Sequence, residues 1–220
     1  MIMPMFTCYK TQGTMLNLII DLDNTIYPVK SIGEKLFRPL FDLVSSPKYG
    51  LDRQTIQDAK EQIMRVPFQK VAEQFNFPEG LRKDALILLR GSTYDEPMQS
   101  FDDYELIRQL DTMKFLLTTG FQKLQESKVR SLGIENDFNE IFIVDPDKSE
   151  KTKKDIMIHI MDKYRLSPGS LLVIGDDPES EIKAAKELGI RSFLLDPDNT
   201  YSGAQSDYRG ERLRDVLKYT

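Results

Sequence analysis

The sequence predicts an α/β protein, with a mostly parallel sheet as its core and a helical bundle inserted into it. Three observations lead there. Short, wholly apolar runs recur along the chain and several end abruptly in acidic or hydroxyl residues. From Ser100 onward, helical and strand patterns alternate, which is the mark of βαβ units. Between the first and second apolar runs, residues 30 to 98 carry only helical periodicity.

Leu18, Ile19 and Ile20 open the series. Their unbroken hydrophobicity predicts a strand covered on both faces. The run ends in Asp21-Leu22-Asp23-Asn24-Thr25, and Tyr27-Pro28 closes the segment. Apolar residues at helical spacing follow from Ser31 to Val44 (Ile32, Leu36, Phe37, Leu40, Phe41, Val44), and Ser46 to Gly50 reads as a turn. Asp52 is placed to cap a helix over 53–64, Pro67 to open one to Phe75, and Pro78 to open one through Leu89 and Arg90. Gly91 to Pro97 is the return linker. Ser100 to Asp103 has the composition of a capping box for a helix to Leu110.

Met113 to Leu117 is the second strand, ending in Thr118-Thr119-Gly120, and a helix to Leu132 stops at Gly133. Ile141 to Val144 is the third strand, before Asp145-Pro146-Asp147. Thr152 to Asp155 can cap a helix to about Tyr164. Leu171 to Ile174 is the fourth strand, ending in Gly175-Asp176-Asp177-Pro178. A helix from Pro178 to Leu188 closes at Gly189, and Arg191 to Leu195 is the fifth strand. Asp177 fits a helix N-cap better than a ligand. His159, mid-helix, has a packing or solvent-facing role.

Composition narrows the class. The chain has 220 residues, 40% apolar and 30% charged, with a net charge of −5. That is enough for one large core bearing an insertion, and it argues against general affinity for nucleic acid or an anionic membrane. No window is apolar enough to span a bilayer. Cys8 stands alone, so there is no disulfide framework or Cys-based metal site, and a reducing, cytoplasmic setting is expected. Met1 to Thr14 lacks a signal-peptide core and reads as an N-terminal extension, with either Met1 or Met15 as the native start. A monomer or weak homodimer is expected.

Two carboxylates as close as Asp21 and Asp23 need a bridging cation, or one must keep a proton. Both conditions suit phosphoryl transfer: a carboxylate can attack phosphorus, Mg²⁺ can neutralise phosphate oxygens, and a neighbouring acid can protonate the leaving alcohol. An ordinary Asp-rich turn is the alternative for this motif alone. However, three apolar strands end in Asp21 with Asp23, in Thr118 and in Asp176, and a parallel sheet brings such ends to one edge. A cation between Asp21 and Asp176, with a hydroxyl and a lysine nearby, makes a phosphate site.

On these residues the chain resembles the haloacid dehalogenase (HAD) superfamily of hydrolases over nearly all of 15 to 217. Asp21-Leu22-Asp23-Asn24-Thr25 matches the first motif, Thr118 the second, a lysine before the Thr152 helix the third, and Gly175-Asp176 the fourth. The resemblance implies a Rossmann-like core formed by 15–29 and 96–220, with 30–95 as a helical cap domain that closes over the site. It implies Asp21 as nucleophile, Asp23 as general acid and base, and Thr118 as a phosphoryl ligand, with Thr119 and Gly120 contacting substrate. Lys151 is the favoured charge-balancing lysine, with Lys148, Lys153 and Lys154 close by. Asp21, Asp23 through its backbone carbonyl, and Asp176 would hold Mg²⁺. The family's usual second acid of the fourth motif is replaced by Glu181, which could reach the metal site or lie on the helix surface.

Asp23 favours a phosphatase over a dehalogenase, whose halide leaving group needs no proton. The opening Asp-Leu-Asp-Asn-Thr-Ile-Tyr-Pro is similar to that of pyrimidine 5′-nucleotidase-like members, so the expected substrate is a small phosphate ester, a nucleoside monophosphate or a sugar phosphate. A phosphomutase and a non-catalytic phosphate-ligand binder or interaction module remain alternatives.

Overall fold

The structure, a computed structural model, describes residues 15–220. The extension expected at 1–14, with Cys8 and the choice between Met1 and Met15 as start, lies outside the described residues. The first strand, β1 (Asn17–Ile20), is followed by four helices: α1 (Gly33–Val44), α2 (Arg53–Ile63), α3 (Phe68–Gln74) and α4 (Glu79–Gly91). Then come α5 (Tyr104–Arg108), β2 (Lys114–Thr119), α6 (Gln122–Leu132), β3 (Glu140–Val144), α7 (Lys153–Tyr164), β4 (Leu171–Gly175), α8 (Lys183–Glu187), β5 (Arg191–Leu195) and β6 (Tyr208–Gly210).

All neighbours in the sheet are parallel, in the order β3-β2-β1-β4-β5-β6. The first strand is therefore central, flanked by β2 and β4, and the three strand ends that carry Asp21, Thr118 and Asp176 are adjacent. Side chains alternate across the sheet. Leu18 and Ile20 join the larger apolar cluster, with Leu116, Ile174 and residues of the helical segment. Ile19 faces the other way, with Phe115, Val173, Met157 and Ala185. This two-sided burial is why the strands read as continuous apolar runs.

The five expected strands are present, and the sheet gains a sixth. β6 is three residues long and only half-buried, too short and too polar to carry a strand pattern. The segment from 30 to 95 contains no strand. Its caps follow the sequence in part: Asp52 accepts from the backbone of Gln54 and Thr55, and Pro67 and Pro78 immediately precede α3 and α4. The return linker is fastened along α6, where the Tyr94 backbone N–H donates to Ser127 Oγ at 2.7 Å and Ser131 Oγ donates to the Tyr94 carbonyl at 2.8 Å.

One cap differs. The box expected at Ser100 to Asp103 does not form, because α5 starts later, at Tyr104, with no side-chain cap. The Asp103 carboxylate instead accepts from the Arg214 backbone at 3.0 Å and ties α5 to the C-terminal segment.

Candidate active site

The turn after β1 is shaped by its own residues. Asp21 continues the strand by one hydrogen bond, its N–H donating to the Ile174 carbonyl at 2.9 Å. Asn24 then adopts a left-handed conformation, φ 56°, which asparagine tolerates better than most residues. Its Oδ1 accepts from the Val29 N–H at 3.1 Å. The chain folds back so that Asp23 and Tyr27 pair as an isolated bridge. Asp21 and Asp23 thus leave the same turn, and each meets a different set of partners.

Asp21 is 6% exposed. Lys153 Nζ donates to its Oδ1 at 2.6 Å, and Thr25 Oγ1 donates to Oδ2 at 3.3 Å. The same ammonium donates to Glu181 Oε2 at 2.7 Å. Asp21, Asp176 and Glu181 each place a carboxylate oxygen within 4.8 Å of the others. Burial and then the acidic neighbours push Asp21 up to about 7, against the pull of Lys153. Asp176 is pushed up to about 9 by burial, Asp21 and Glu181. Lys153 is raised in turn, since its two carboxylates outweigh the cost of burying its charge.

When all three carboxylates are ionised, the one ammonium leaves two negative charges in excess, which is the charge of one divalent cation. The donors are hard oxygens, the set that suits Mg²⁺, so the residues fit the ion that the sequence motifs imply.

Glu181 belongs to the cluster. It is 2% exposed and also accepts from the Asp177 N–H at 2.9 Å. Its approach explains Gly175: a Cβ there would lie 2.0 Å from Glu181 Oε1. The chain winds as a π-turn over Pro178–Ile182 before becoming α-helical. Asp177 caps that turn through the Glu179 N–H at 2.8 Å, as expected.

The lysine beside Asp21 is Lys153, not the favoured Lys151. Thr152 and Asp155 form a reciprocal capping box, so Lys151 lies before the helix, exposed, its N–H donating to Ser149 Oγ at 3.1 Å. Lys153 is the first helical residue and buried. Lys154 pairs with Glu187 and Lys148 with Asp145, and both of these lysine side chains are exposed, at 41% and 64%. Counting from Gly175 could not resolve a two-residue difference that the cap determines.

Asp23 meets the other partners. Lys128 Nζ donates to its Oδ1 at 2.7 Å, Gln125 Nε2 donates to Oδ2 at 2.9 Å, and the Tyr27 hydroxyl donates to Oδ1. Burial opposes its ionisation, but the Lys128 charge and these hydrogen bonds hold it below its ordinary value. Tyr27 is raised well above the usual phenol range by burial and by the Asp23 charge.

Thr118, 1% exposed, accepts from Gln125 Nε2 at 2.6 Å. Thr119 is half-buried and its carbonyl accepts weakly from Gln125, at 3.4 Å. The Gly120 N–H donates to the Val144 carbonyl at 3.0 Å. That bond occupies the one backbone donor Gly120 could offer a ligand. A Cβ on Gly120 would press on Gln125 Cγ and Cδ at 3.0 Å, so this glycine leaves room for the amide.

Sequence reasoning missed Gln125, Lys128 and Tyr27. A signal was there: Gln125 and Lys128 are one helical turn apart on the face of α6 that also buries Leu124 and Val129, an unusual place for a lysine.

Comparison with known proteins bears on the family and the fold. The family model of haloacid dehalogenase-like hydrolases matches residues 16–189. N-acylneuraminate-9-phosphatase of Mus musculus is 29% identical over 79 residues, 36% of this chain and 32% of the relative, and that of Rattus norvegicus is 27% identical over the same length. The matched stretch therefore spans about a third of these relatives' length. Solved structures cover far more. A haloacid dehalogenase-like hydrolase of Streptococcus pneumoniae superposes with TM-score 0.68 at 18% identity, over 94% of this chain and 98% of that one. The HAD phosphatase of Thermococcus onnurineus gives TM-score 0.63 at 16% identity, over 93% and 97%. YfnB of Bacillus subtilis, assigned as a HAD-hydrolase and solved bound to magnesium, gives TM-score 0.65 at 17% identity, over 93% and 97%. With a family match that runs from β1 through the Gly175-Asp176 turn to α8, the chain belongs to the haloacid dehalogenase-like hydrolases.

Proposed function

We propose that the chain is a Mg²⁺-dependent phosphatase that hydrolyses a small phosphate monoester through an aspartyl phosphate on Asp21. The observation that carries this reading is the pairing of two differently supported carboxylates on one turn, Asp21 in an acid-rich cluster and Asp23 held by a lysine. Separated environments of this kind are what assign distinct roles to neighbouring acids.

In the first half-reaction a carboxylate oxygen of Asp21 forms a bond to phosphorus as the bond to the ester oxygen breaks. The electron pair goes to that oxygen, which takes up a proton through Asp23 and leaves as the alcohol. Asp23 is ionised in the resting site, so that proton arrives with the substrate or from solvent. In the second half-reaction the ionised Asp23 takes a proton from water, whose oxygen bonds to phosphorus as the bond to Asp21 breaks. Orthophosphate and free Asp21 result. Thr118 is the hydroxyl for the transferring group, and Lys153 orients Asp21 and offsets charge. Mg²⁺ held by Asp21, Asp176 and the Asp23 carbonyl, with Glu181 in support, would neutralise phosphate oxygens.

The helices between residues 30 and 95 form the cap that selects the ester and excludes water, hinged near Pro28 and Gly91 to Pro97. The name of the curated relatives, N-acylneuraminate-9-phosphatase, supports including sugar phosphates in the substrate class beside the nucleoside monophosphates. The test is a panel of phosphate esters assayed with and without Mg²⁺ on wild type and Asp21→Asn. Mg²⁺-dependent orthophosphate release, lost in Asp21→Asn, is expected. Release that persists in the variant or in excess chelator would overturn the reading.

A further inference from the structure

Asp23 is gripped by side chains to which none of the steps above gives a task. Lys128 and Gln125 come from one turn of α6, and Tyr27 comes from the fold-back of the Asp23 turn itself. All three are buried, at 4%, 1% and 0% exposure. Among the described residues Asp23 is the only acidic partner of Lys128, whose ammonium also lies 5.9 Å from the centre of the Tyr27 ring. The Asp23 side chain stays 28% exposed, so it is held by buried partners while still reachable by a reactant. One amide spans two functional groups, since Gln125 Nε2 donates to both Asp23 Oδ2 and Thr118 Oγ1.

Donors on both oxygens restrict both side-chain torsions of Asp23. Proton transfer needs heavy atoms within hydrogen-bond reach of one another, and a misplacement of about 1 Å can cost roughly 10²-fold in rate. Stability alone gives little reason for such a group, because apolar residues of similar volume stabilise an interior as well as a buried ion pair does. We propose that Lys128, Gln125 and Tyr27 are a positioning clamp that fixes Asp23 for proton transfer and, through Gln125, fixes its distance from Thr118. Lys128 is its principal member because it brings the only full charge. The proposal rests on the phosphatase reading above.

The test compares kcat and KM of the Mg²⁺-loaded full chain on p-nitrophenyl phosphate and on glycerol phosphate. The first leaves readily without a proton; the second does not. Lys128→Met should lower kcat on glycerol phosphate by about 10²-fold, with KM changed much less. It should lose less on the aryl ester, so the aryl-to-alkyl ratio of kcat/KM, which reports the first half-reaction and not the water attack common to both esters, rises. Lys128→Arg should recover part of that ratio. The ratio does not depend on the fraction of enzyme folded, which separates positioning from a loss of stability. Should Lys128→Met not accumulate as folded protein, Tyr27→Phe, which removes only a hydroxyl, should move the ratio in the same direction by less. An unchanged ratio in the folded variants, or a raised KM with kcat intact, overturns the clamp while leaving the phosphatase reading in place. Wild type inactive on every ester of the panel overturns both.

Discussion

Asp21 and Asp23 are two residues apart, the first buried and the second half-buried, yet their protons behave in opposite ways. On the β4 side, Lys153 is shared between Asp21 and Glu181, with Asp176 adding a third carboxylate. On the α6 side, Asp23 is the one acidic partner of Lys128 among the described residues, and two neutral donors complete the shell. Burial favours the neutral acid at both places. What differs is the number of acids each cation must satisfy. One side is therefore short of positive charge and suited to a divalent cation, whereas the other is already balanced and suited to holding one carboxylate still.

If that division is functional, the largest effect belongs to Asp21→Asn. An amide is a poor nucleophile and a poor cation ligand, so turnover of every ester should vanish while substrate binding, followed by calorimetry, persists. Asp23→Asn should come next, losing about 10²–10⁴-fold in kcat. The loss should be larger for alkyl than for aryl esters. A phosphoenzyme should then be trappable with p-nitrophenyl phosphate, since water attack still needs a base. Equal losses on both ester types with no covalent intermediate would return Asp23 to an ordinary polar role.

Gly175→Ala probes the acid-rich side without touching a ligand. The new methyl would displace Glu181 from its place beside Lys153, because the position it needs lies 2.0 Å from Glu181 Oε1. Loss of an outer partner of a metal site typically weakens metal affinity by about 10–100-fold. Mg²⁺ activation curves should shift by that order, with the aryl-to-alkyl ratio unmoved because the α6 side is intact. A shift in the ratio instead would show that the two sides are not separable.

The same division decided what could be read from the sequence. Strand ends are set by apolar runs that stop, so Asp21, Thr118 and Asp176 were visible at once. The fourth member, Lys153, lay within a run of lysines whose phase depends on where Thr152 starts the helix. Glu181 depended on a π-turn and on space that Gly175 leaves empty. Lys128 and Gln125 belong to no strand end and reach Asp23 from more than a hundred residues away. Only the packing of α6 against the sheet brings them there. The helical segment was legible as helices through its periodicity and its Asp and Pro starts, whereas β6 pairs by backbone alone and left no pattern.

The smallest effect, and the one that reads the charge imbalance directly, is the pH dependence of stability without metal. Asp21 and Asp176 are raised from 3.8 to about 7 and about 9 in the folded chain. Between the ordinary carboxylate range and those values the folded state binds more protons than the unfolded one, so stability must fall as pH rises through that window. Asp23 has the opposite sign: its contribution is complete above its unfolded value and is lost only in acid, so it is constant across the same window. Lys153, also raised, stays charged in both states until pH exceeds the ordinary lysine range. Urea midpoints in chelator should therefore decline from about pH 5 to about pH 9. Saturating Mg²⁺, which binds the ionised carboxylates of the folded state, should flatten the decline or reverse it. Asp176→Asn without metal should be more stable than wild type near the alkaline end and should lose most of the slope, because the group with the larger upward shift no longer titrates. Parallel declines for wild type in chelator, wild type in Mg²⁺ and Asp176→Asn would place the titrating groups elsewhere, and the cluster would then lack the excess negative charge that a divalent cation answers.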